Sequence, residues 1–317
     1  MEVSRGTCPQ EDAAPSCPAC DRSTIDDPDC VSAYRRAGII KAHWECWSDC
    51  NLSCSFCYRS RSIPLDTENA KSMLRALVHG GVSQIVFAGG DPSLRRDLGE
   101  LIDFSIELGL CVEVQTNSQF QARPVLDALL RADLVGLSMD GAIAEGHDAM
   151  RGKAGNYSRV MRLANFLESR SRPFVVRTVV SRKSAPGLHG LGLALSGFQY
   201  LRRWSLVQFG VIEDGYRNRE VHELSDDEFS VEAAVYAAEY SGPGSVNIYP
   251  NVNKVGVYFL IGSNGDVFGD VAAGPVRQHP IIGNVTADHA RDLALRLKIR
   301  PDMHKMRYAT LMSDVSH

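Results

Sequence analysis

Three cysteines stand close together as Cys50-Asn-Leu-Ser-Cys54-Ser-Phe-Cys57, a C-x3-C-x2-C spacing. Three thiolates on one short loop can hold three irons of a [4Fe-4S] cluster and leave the fourth iron open for chemistry. Soft thiolates also suit zinc, but a zinc site wants four ligands and typically a second paired C-x2-C. A structural zinc loop is therefore the competing reading.

Further groups follow in the chain. Gly89-Gly90-Asp91-Pro92 closes an apolar run. Its glycines let the backbone approach a ligand, and its carboxylate can hold an ammonium group; alone it also reads as a turn. Thr116-Asn117-Ser118 and Ser138-Met139-Asp140-Gly141 each follow an apolar run and supply short polar side chains. Asp140 reads as a group that orients Ser138 or caps the next helix. Arg151-Gly152 comes about a dozen residues later, and Arg177 interrupts the apolar run around Val175 and Val176. A buried arginine needs a partner, so Arg177 is a candidate for an anion. Val211 and Ile212 end another apolar run, with Gln208 and Glu213 as candidates for substrate contact.

The elements that position these groups alternate. Strand-like runs at 42–47, 84–88, 111–115, 134–138, 174–180 and 205–211 are separated by helix-like spacing at 67–79, 98–108, 124–131 and 158–168. Strands alternating with helices of this length predict a parallel sheet of βα units. Six right-handed units curl into a partial (β/α)6 barrel. In such folds chemistry sits on the loops after the strands, and the cysteine loop, GGDP, TNS and SMDG each follow a strand. They should converge on one mouth.

Residues 1–35 read as a separate arm, rich in Pro and Asp. It carries Cys8, Cys17, Cys20 and Cys30, a possible second metal site for zinc or a cluster. Residues 36–240 form the expected barrel core. Residues 241–317 form a C-terminal extension with a β-hairpin over 257–268, turning at Ser263-Asn-Gly265, and a basic helix over 288–300; it is expected to cover the barrel mouth or edge. Cys46 and Cys111 fall in strands and read as small buried hydrophobes.

The totals narrow the function class. At 317 residues and 44% hydrophobic content the chain can fill a sizeable core. A net charge of -4 with no long basic run argues against a nucleic-acid partner or an anionic membrane. No apolar run is long enough to span a bilayer, and the first residues have no apolar signal-peptide core, so a cytoplasmic location is expected. Nine cysteines there are then no disulfide framework.

With these motifs, residues 42–213 resemble the radical S-adenosylmethionine (SAM) superfamily. The resemblance implies that Cys50, Cys54 and Cys57 bind a [4Fe-4S] cluster and that SAM binds its open iron. Phe56 stands at the signature's aromatic position, with its backbone against the adenine. Gly89, Gly90, Asp91 and Pro92 stand for the motif that holds the SAM amino group, with Asp in place of the commoner Glu. Asn117 and Ser138 would lie near the ribose and methionine, Arg151 would pair with the SAM carboxylate, Arg177 would meet SAM or a substrate anion, and Val211 and Ile212 would cover the adenine. The implied reaction is reductive cleavage of SAM to a 5′-deoxyadenosyl radical that takes hydrogen from a substrate, with an electron donor such as flavodoxin or ferredoxin. The 204–213 segment, Leu224–Phe229 and Ile281–Asn284 are similar to viperin-type nucleotide dehydratases and nucleoside-tailoring members. That tilts the substrate toward a nucleoside, nucleotide or sugar, and the reaction toward a lyase or oxidoreductase of natural product biosynthesis. No cysteine follows Cys111, so the later part of this chain has no thiolates for an auxiliary cluster of the kind found in many peptide-modifying members. A peptide-modifying enzyme is one alternative; a non-catalytic zinc or iron–sulfur binding protein is the other.

Overall fold

The computed structural model describes residues 31–57, 61–269, 271–273 and 276–304. The arm with Cys8, Cys17, Cys20 and Cys30 lies outside the described residues. Six strands run in sequence order: β1 (Lys41–Trp47), β2 (Gln84–Gly89), β3 (Cys111–Thr116), β4 (Leu134–Ser138), β5 (Phe174–Val180) and β6 (Leu201–Gln208). Each pairs in parallel with the next. After them come β7 (Ser245–Tyr249), β8 (Leu260–Ile261), β9 (Asp266–Phe268), β10 (Val271–Ala273), β11 (Val276–Gln278) and β12 (Ile281–Asn284). The main sheet has the order β12-β9-β8-β1-β2-β3-β4-β5-β6-β7, so it ends on two open edges. This is the expected α/β architecture, a parallel βα run whose sheet does not close into a full barrel.

The helices are α1 (Ala33–Arg36), α2 (Thr67–His79), α3 (Leu98–Glu107), α4 (Arg123–Arg131), α5 (Ala144–Arg151), α6 (Asn156–Ser169), α7 (Leu191–Leu195), α8 (Arg219–His222), α9 (Asp226–Ala238) and α10 (Ala290–Leu297). Their starts follow ordinary capping chemistry. Asp66 accepts from Asn69 N at the start of α2. Ser225 and Glu228 form a reciprocal capping box on α9.

Strand side chains alternate, and the two sides of the sheet differ. Trp44, Phe87, Val114, Leu137, Val176 and Trp204 face the helices and join Leu74, Leu101, Leu129, Leu163 and Phe229 in the main core. The other side faces the lumen of the curl. There Leu134 and Val175 form a small separate apolar cluster with Ile40.

Of the strands after residue 240, β7, β8, β9 and β12 continue the same sheet, and β10 and β11 pair antiparallel as a separate two-stranded ribbon. β7 pairs in parallel with β6, and β8 pairs in parallel with β1. β8 and β9 form the expected hairpin, with shorter strands than 257–268 allowed. Among the described residues, no helix is long and apolar enough to cross a membrane.

Candidate functional site

One cavity of about 280 Å³ opens at the carboxyl ends of the strands. Its wall includes Cys50, Cys54, Phe56 and Cys57 after β1, Gly89 and Gly90 at the end of β2, Asn117 after β3, Ser138 at the end of β4, Arg151 at the end of α5, and Ile212 after β6. The strand-end rule therefore brings all of these groups but Arg151 to one mouth, and α5 delivers Arg151. Asp91, Pro92, Arg177 and Val211 are not on that wall.

Asp91 is fully buried. Its carboxylate accepts from Ser93 N at 2.8 Å, Asn117 N at 2.8 Å and Thr116 Oγ1 at 3.1 Å. Burial pushes its carboxyl above the usual range, and those hydrogen bonds pull the other way. Asp91 thus ties the β2 turn to the end of β3, leaving Gly89 and Gly90 as the part of the motif on the cavity wall. The glycines also serve the cysteine loop. Gly90 N donates to Trp47 O at 2.6 Å, and Asp91 N donates to Asp49 O at 2.9 Å. A Cβ on Gly90 would stand 2.0 Å from Asp49 O. Any side chain there would push the two loops apart, because no rotamer moves a Cβ.

Arg151 is 8% exposed. Its Nη2 lies 2.6 Å from Asp140 Oδ2, and its guanidinium sits 5.2 Å from the centre of the Phe56 ring. Its buried Nε has no hydrogen-bond partner. Asp140 does not serve Ser138 or a helix start, contrary to expectation. It instead spends Oδ1 on Val179 N at 2.7 Å and the other oxygen on Arg151. The turn is braced from behind by His147, whose Nδ1 accepts from Asp140 N and whose Nε2 meets Asn156 Oδ1. Burial lowers the His147 pKa, which favours the neutral ring that this pattern requires.

The cysteine loop is held by its neighbours. Asn117 Nδ2 donates to Cys50 Sγ at 3.3 Å, and Cys54 Sγ donates to Arg151 O at 3.6 Å. Ser55 Oγ meets His222 Nε2 at 2.7 Å, and Asn218 Nδ2 donates to Ser55 O at 2.9 Å. Burial pushes the Cys54 thiol up to about 11. It is a protonated thiol until a metal displaces the proton. The far side of the loop borders a second cavity lined by Cys50, Cys54, Cys57, Arg61, Arg217 and Asn218.

Several wall residues carried no local sequence signal: Glu45, Gln115, Lys254, Tyr258 and His279. Gln208 lines the cavity, but its side chain is committed: Nε2 donates to Asp226 Oδ1 and Oε1 accepts from Asn251 N. The Glu213 side chain lies outside the described residues. Arg177 finds its partner within the protein, with Nη2 2.8 Å from Glu113 Oε1. Cys46 is fully buried, as its strand position suggested.

The donor set fits an iron–sulfur cluster and SAM. Three thiols border one cavity, one already accepts an N–H, and a buried guanidinium there keeps an unused donor for a carboxylate. Among the described residues, no three His, Cys, Asp or Glu side chains close tightly enough for one metal ion. A [4Fe-4S] cluster would not need them to, since each cysteine would bind a different iron.

Comparison with known proteins points the same way. The model of the Radical SAM superfamily matches residues 44–183. An AdoMet-dependent heme synthase from Oleidesulfovibrio alaskensis is 33% identical over 150 residues, covering 45% of this chain and 39% of the relative. A PqqA peptide cyclase from Xanthomonas euvesicatoria is 32% identical over 154 residues, covering 45% of this chain and 41% of the relative. The chain thus aligns with about two-fifths of the length of these curated relatives. Among solved structures, Streptococcus suis SuiB bound to precursor peptide SuiA superposes with a TM-score of 0.64 at 16% identity, covering 90% of this chain and 71% of that one. Native anSMEcpe with bound AdoMet and a peptide gives 0.59 at 18% identity, covering 86% and 87%. At such identities the structural likeness shows the fold.

Proposed function

We propose that this chain, whose residues 44–183 match the model of the Radical SAM superfamily, takes a hydrogen atom from a small polar molecule, a nucleoside, nucleotide or sugar. The observation that carries the reading is the single cavity shared by Cys50, Cys54, Cys57 and the strand-end residues. The cofactors of this superfamily are a [4Fe-4S] cluster and SAM; together, once reduced, they supply a 5′-deoxyadenosyl radical.

The chain's own residues then bind, orient and shield. Cys50, Cys54 and Cys57 hold the cluster. Asn117 steadies Cys50 through its N–H···S bond. Arg151, fixed by Asp140, presents its spare Nε to the SAM carboxylate. Gly89 and Gly90 offer backbone to the amino group. Phe56 and Ile212 flank the adenine, and Ser138 faces the ribose side. Tyr258, Leu260 and His279, from the part of the chain after β7, close the wall and exclude water. An electron donor such as flavodoxin or ferredoxin would approach from outside the cysteine loop, where Arg61 and Arg217 border the second cavity and suit an acidic partner. The reactions that suit such a substrate are dehydration, decarboxylation or a similar rearrangement.

The small-molecule reading draws on the similarity of 204–213 and 224–229 to nucleotide- and nucleoside-acting members. Polar wall residues Glu45, Gln115 and Lys254 offer several hydrogen-bonding groups to a polyhydroxylated ligand. A peptide is the second reading, favoured by the PqqA peptide cyclase relatives and by the fold shared with peptide-bound SuiB. The two separate in a screen of deuterated candidates for label arriving in 5′-deoxyadenosine. Transfer from a nucleoside, nucleotide or sugar is expected. Transfer from a peptide alone replaces the first reading with the second.

A further inference from the structure

Beneath the cavity, the lumen holds a charged layer that the reading above leaves without a task. Lys41 on β1, Glu113 on β3, Arg177 on β5 and Arg203 on β6 all fall on the lumen side of the strand alternation. Glu113 lies 2.8 Å from Lys41 Nζ, 2.8 Å from Arg177 Nη2 and 4.0 Å from Arg203 Nη2. Three cations share this one carboxylate. Gly136 on β4 makes room for it: a Cβ there would stand 3.1 Å from Gln115 Cγ and 3.5 Å from Glu113 Oε1. Leu134 and Val175, both buried, close the lumen at its apolar end.

Arg177 differs from the other members of the layer. Lys41, Glu113 and Arg203 are each 2–3% exposed, whereas the Arg177 side chain is 25% exposed. Its ladder partner is Ser138, a cavity-wall residue, and Val179, two residues on, lines the same wall. Its Nε is buried with no hydrogen-bond partner. A guanidinium that leaves a buried donor unmade loses free energy on folding. The exposed part of the guanidinium is what an anion beside Ser138 and Val179 can reach.

We propose that Arg177 binds an anionic group of the substrate, a carboxylate or a phosphate, just beneath the cavity wall formed by Ser138 and Val179. The proposal rests on the assignment of this cavity to SAM and substrate. It places the substrate's charge at the β5 side, away from Arg151 and the cysteine loop, so that the rest of the molecule extends toward Ser138 and the cluster. Glu113 holds the guanidinium in place through Nη2 and leaves Nη1 to the ligand.

The test uses the full chain, reconstituted anaerobically and saturated with SAM, titrated with inorganic phosphate and with acetate by calorimetry. The wild type is expected to bind at least one of them. Arg177→Gln should weaken that binding by about tenfold or more, the loss of a charge-assisted hydrogen bond. Arg177→Lys, which keeps the charge and guards against a merely misfolded variant, should fall between the two. SAM affinity should change less than about twofold in both variants. Anion binding that is absent from the wild type, or unchanged in Arg177→Gln, overturns the proposal. So does a SAM affinity that falls with Arg177→Gln while anion binding stays, since the anion is then the SAM carboxylate. Formation of 5′-deoxyadenosine by the reduced wild type, measured in the same preparation, separates the two ideas: its absence counts against the parent assignment, whatever the anions do.

Discussion

Replacing Cys54 with alanine leaves a folded chain that holds below about a tenth of the wild-type iron and sulfide, because a cluster of this kind needs all three thiolates of the loop. The fall in 5′-deoxyadenosine formation exceeds the roughly 100-fold seen when a ligand's supporting hydrogen bond is removed, since here the ligand itself is gone. Folding survives because the Cys54 thiol makes one long contact, to Arg151 O at 3.6 Å. The matched control is Cys46→Ala. Cys46 is fully buried in the main core, and burial pushes its thiol up. That variant loses packing and keeps its iron. Iron, sulfide and zinc analysis of both variants beside the wild type checks this. Equal iron loss in both, or zinc in place of iron in the wild type, contradicts the cluster assignment.

The second large effect lies in the lumen. Glu113→Gln is expected to destabilise the fold by about 3–5 kcal/mol, the usual cost of removing one partner from a buried ion pair. The carboxylate is 3% exposed, and Lys41, Arg177 and Arg203 converge on it. Gln keeps the shape and one acceptor but leaves three like charges facing one another. The cations beside Glu113 hold its carboxyl well below the usual carboxylate range, against the opposing effect of burial. A depressed folded-state pKa means that the unfolded chain binds the proton first. The stabilisation is complete above the unfolded value near 4.3 and is lost as pH falls through the folded one. Urea unfolding at neutral pH should show the loss, and the gap between variant and wild type should narrow in acid. Adding Lys41→Met to Glu113→Gln removes one of the stranded charges and should recover part of it, as a double-mutant cycle reads out. A Glu113→Gln chain as stable as wild type contradicts the role given to this layer.

The βα run was legible because each strand is a short apolar run bounded by turn residues, and each long helix has an apolar stripe. The convergence of the cysteine loop with Gly89, Gly90, Asn117 and Ser138 was legible for a topological reason: each of these motifs followed a strand, and strand ends in a parallel sheet share one face; Arg151, at the end of α5, was suggested by the resemblance instead. What escaped was pairing across the chain. Arg177 stood out as a charge in an apolar strand, yet its partner Glu113 is 64 residues away and sits in a strand that reads the same way. Lys41 and Arg203 fall near strand starts, where a charge raises no question. Asp140 and Asp91 looked like a local cap and a ligand group, and their partners proved to be Arg151 in one case and Ser93 with the end of β3 in the other. The helix α5 was missed because AEGHDAMR has almost no apolar stripe; it is held by His147, Met150 and Arg151, the buried residues of that helix. β8 has only two residues in the ladder, and its pairing with β1 depends on contacts more than 200 residues apart.

The central claim is that the cavity shared by Cys50, Cys54, Cys57 and the strand ends cleaves SAM reductively. The most direct measurement is chromatographic detection of 5′-deoxyadenosine after anaerobic reconstitution with iron and sulfide, reduction, and addition of SAM. The account predicts 5′-deoxyadenosine and methionine from the wild-type chain and none above background from Cys54→Ala. A wild-type chain that takes up iron and sulfide, binds SAM and still forms no 5′-deoxyadenosine under reducing conditions would contradict it.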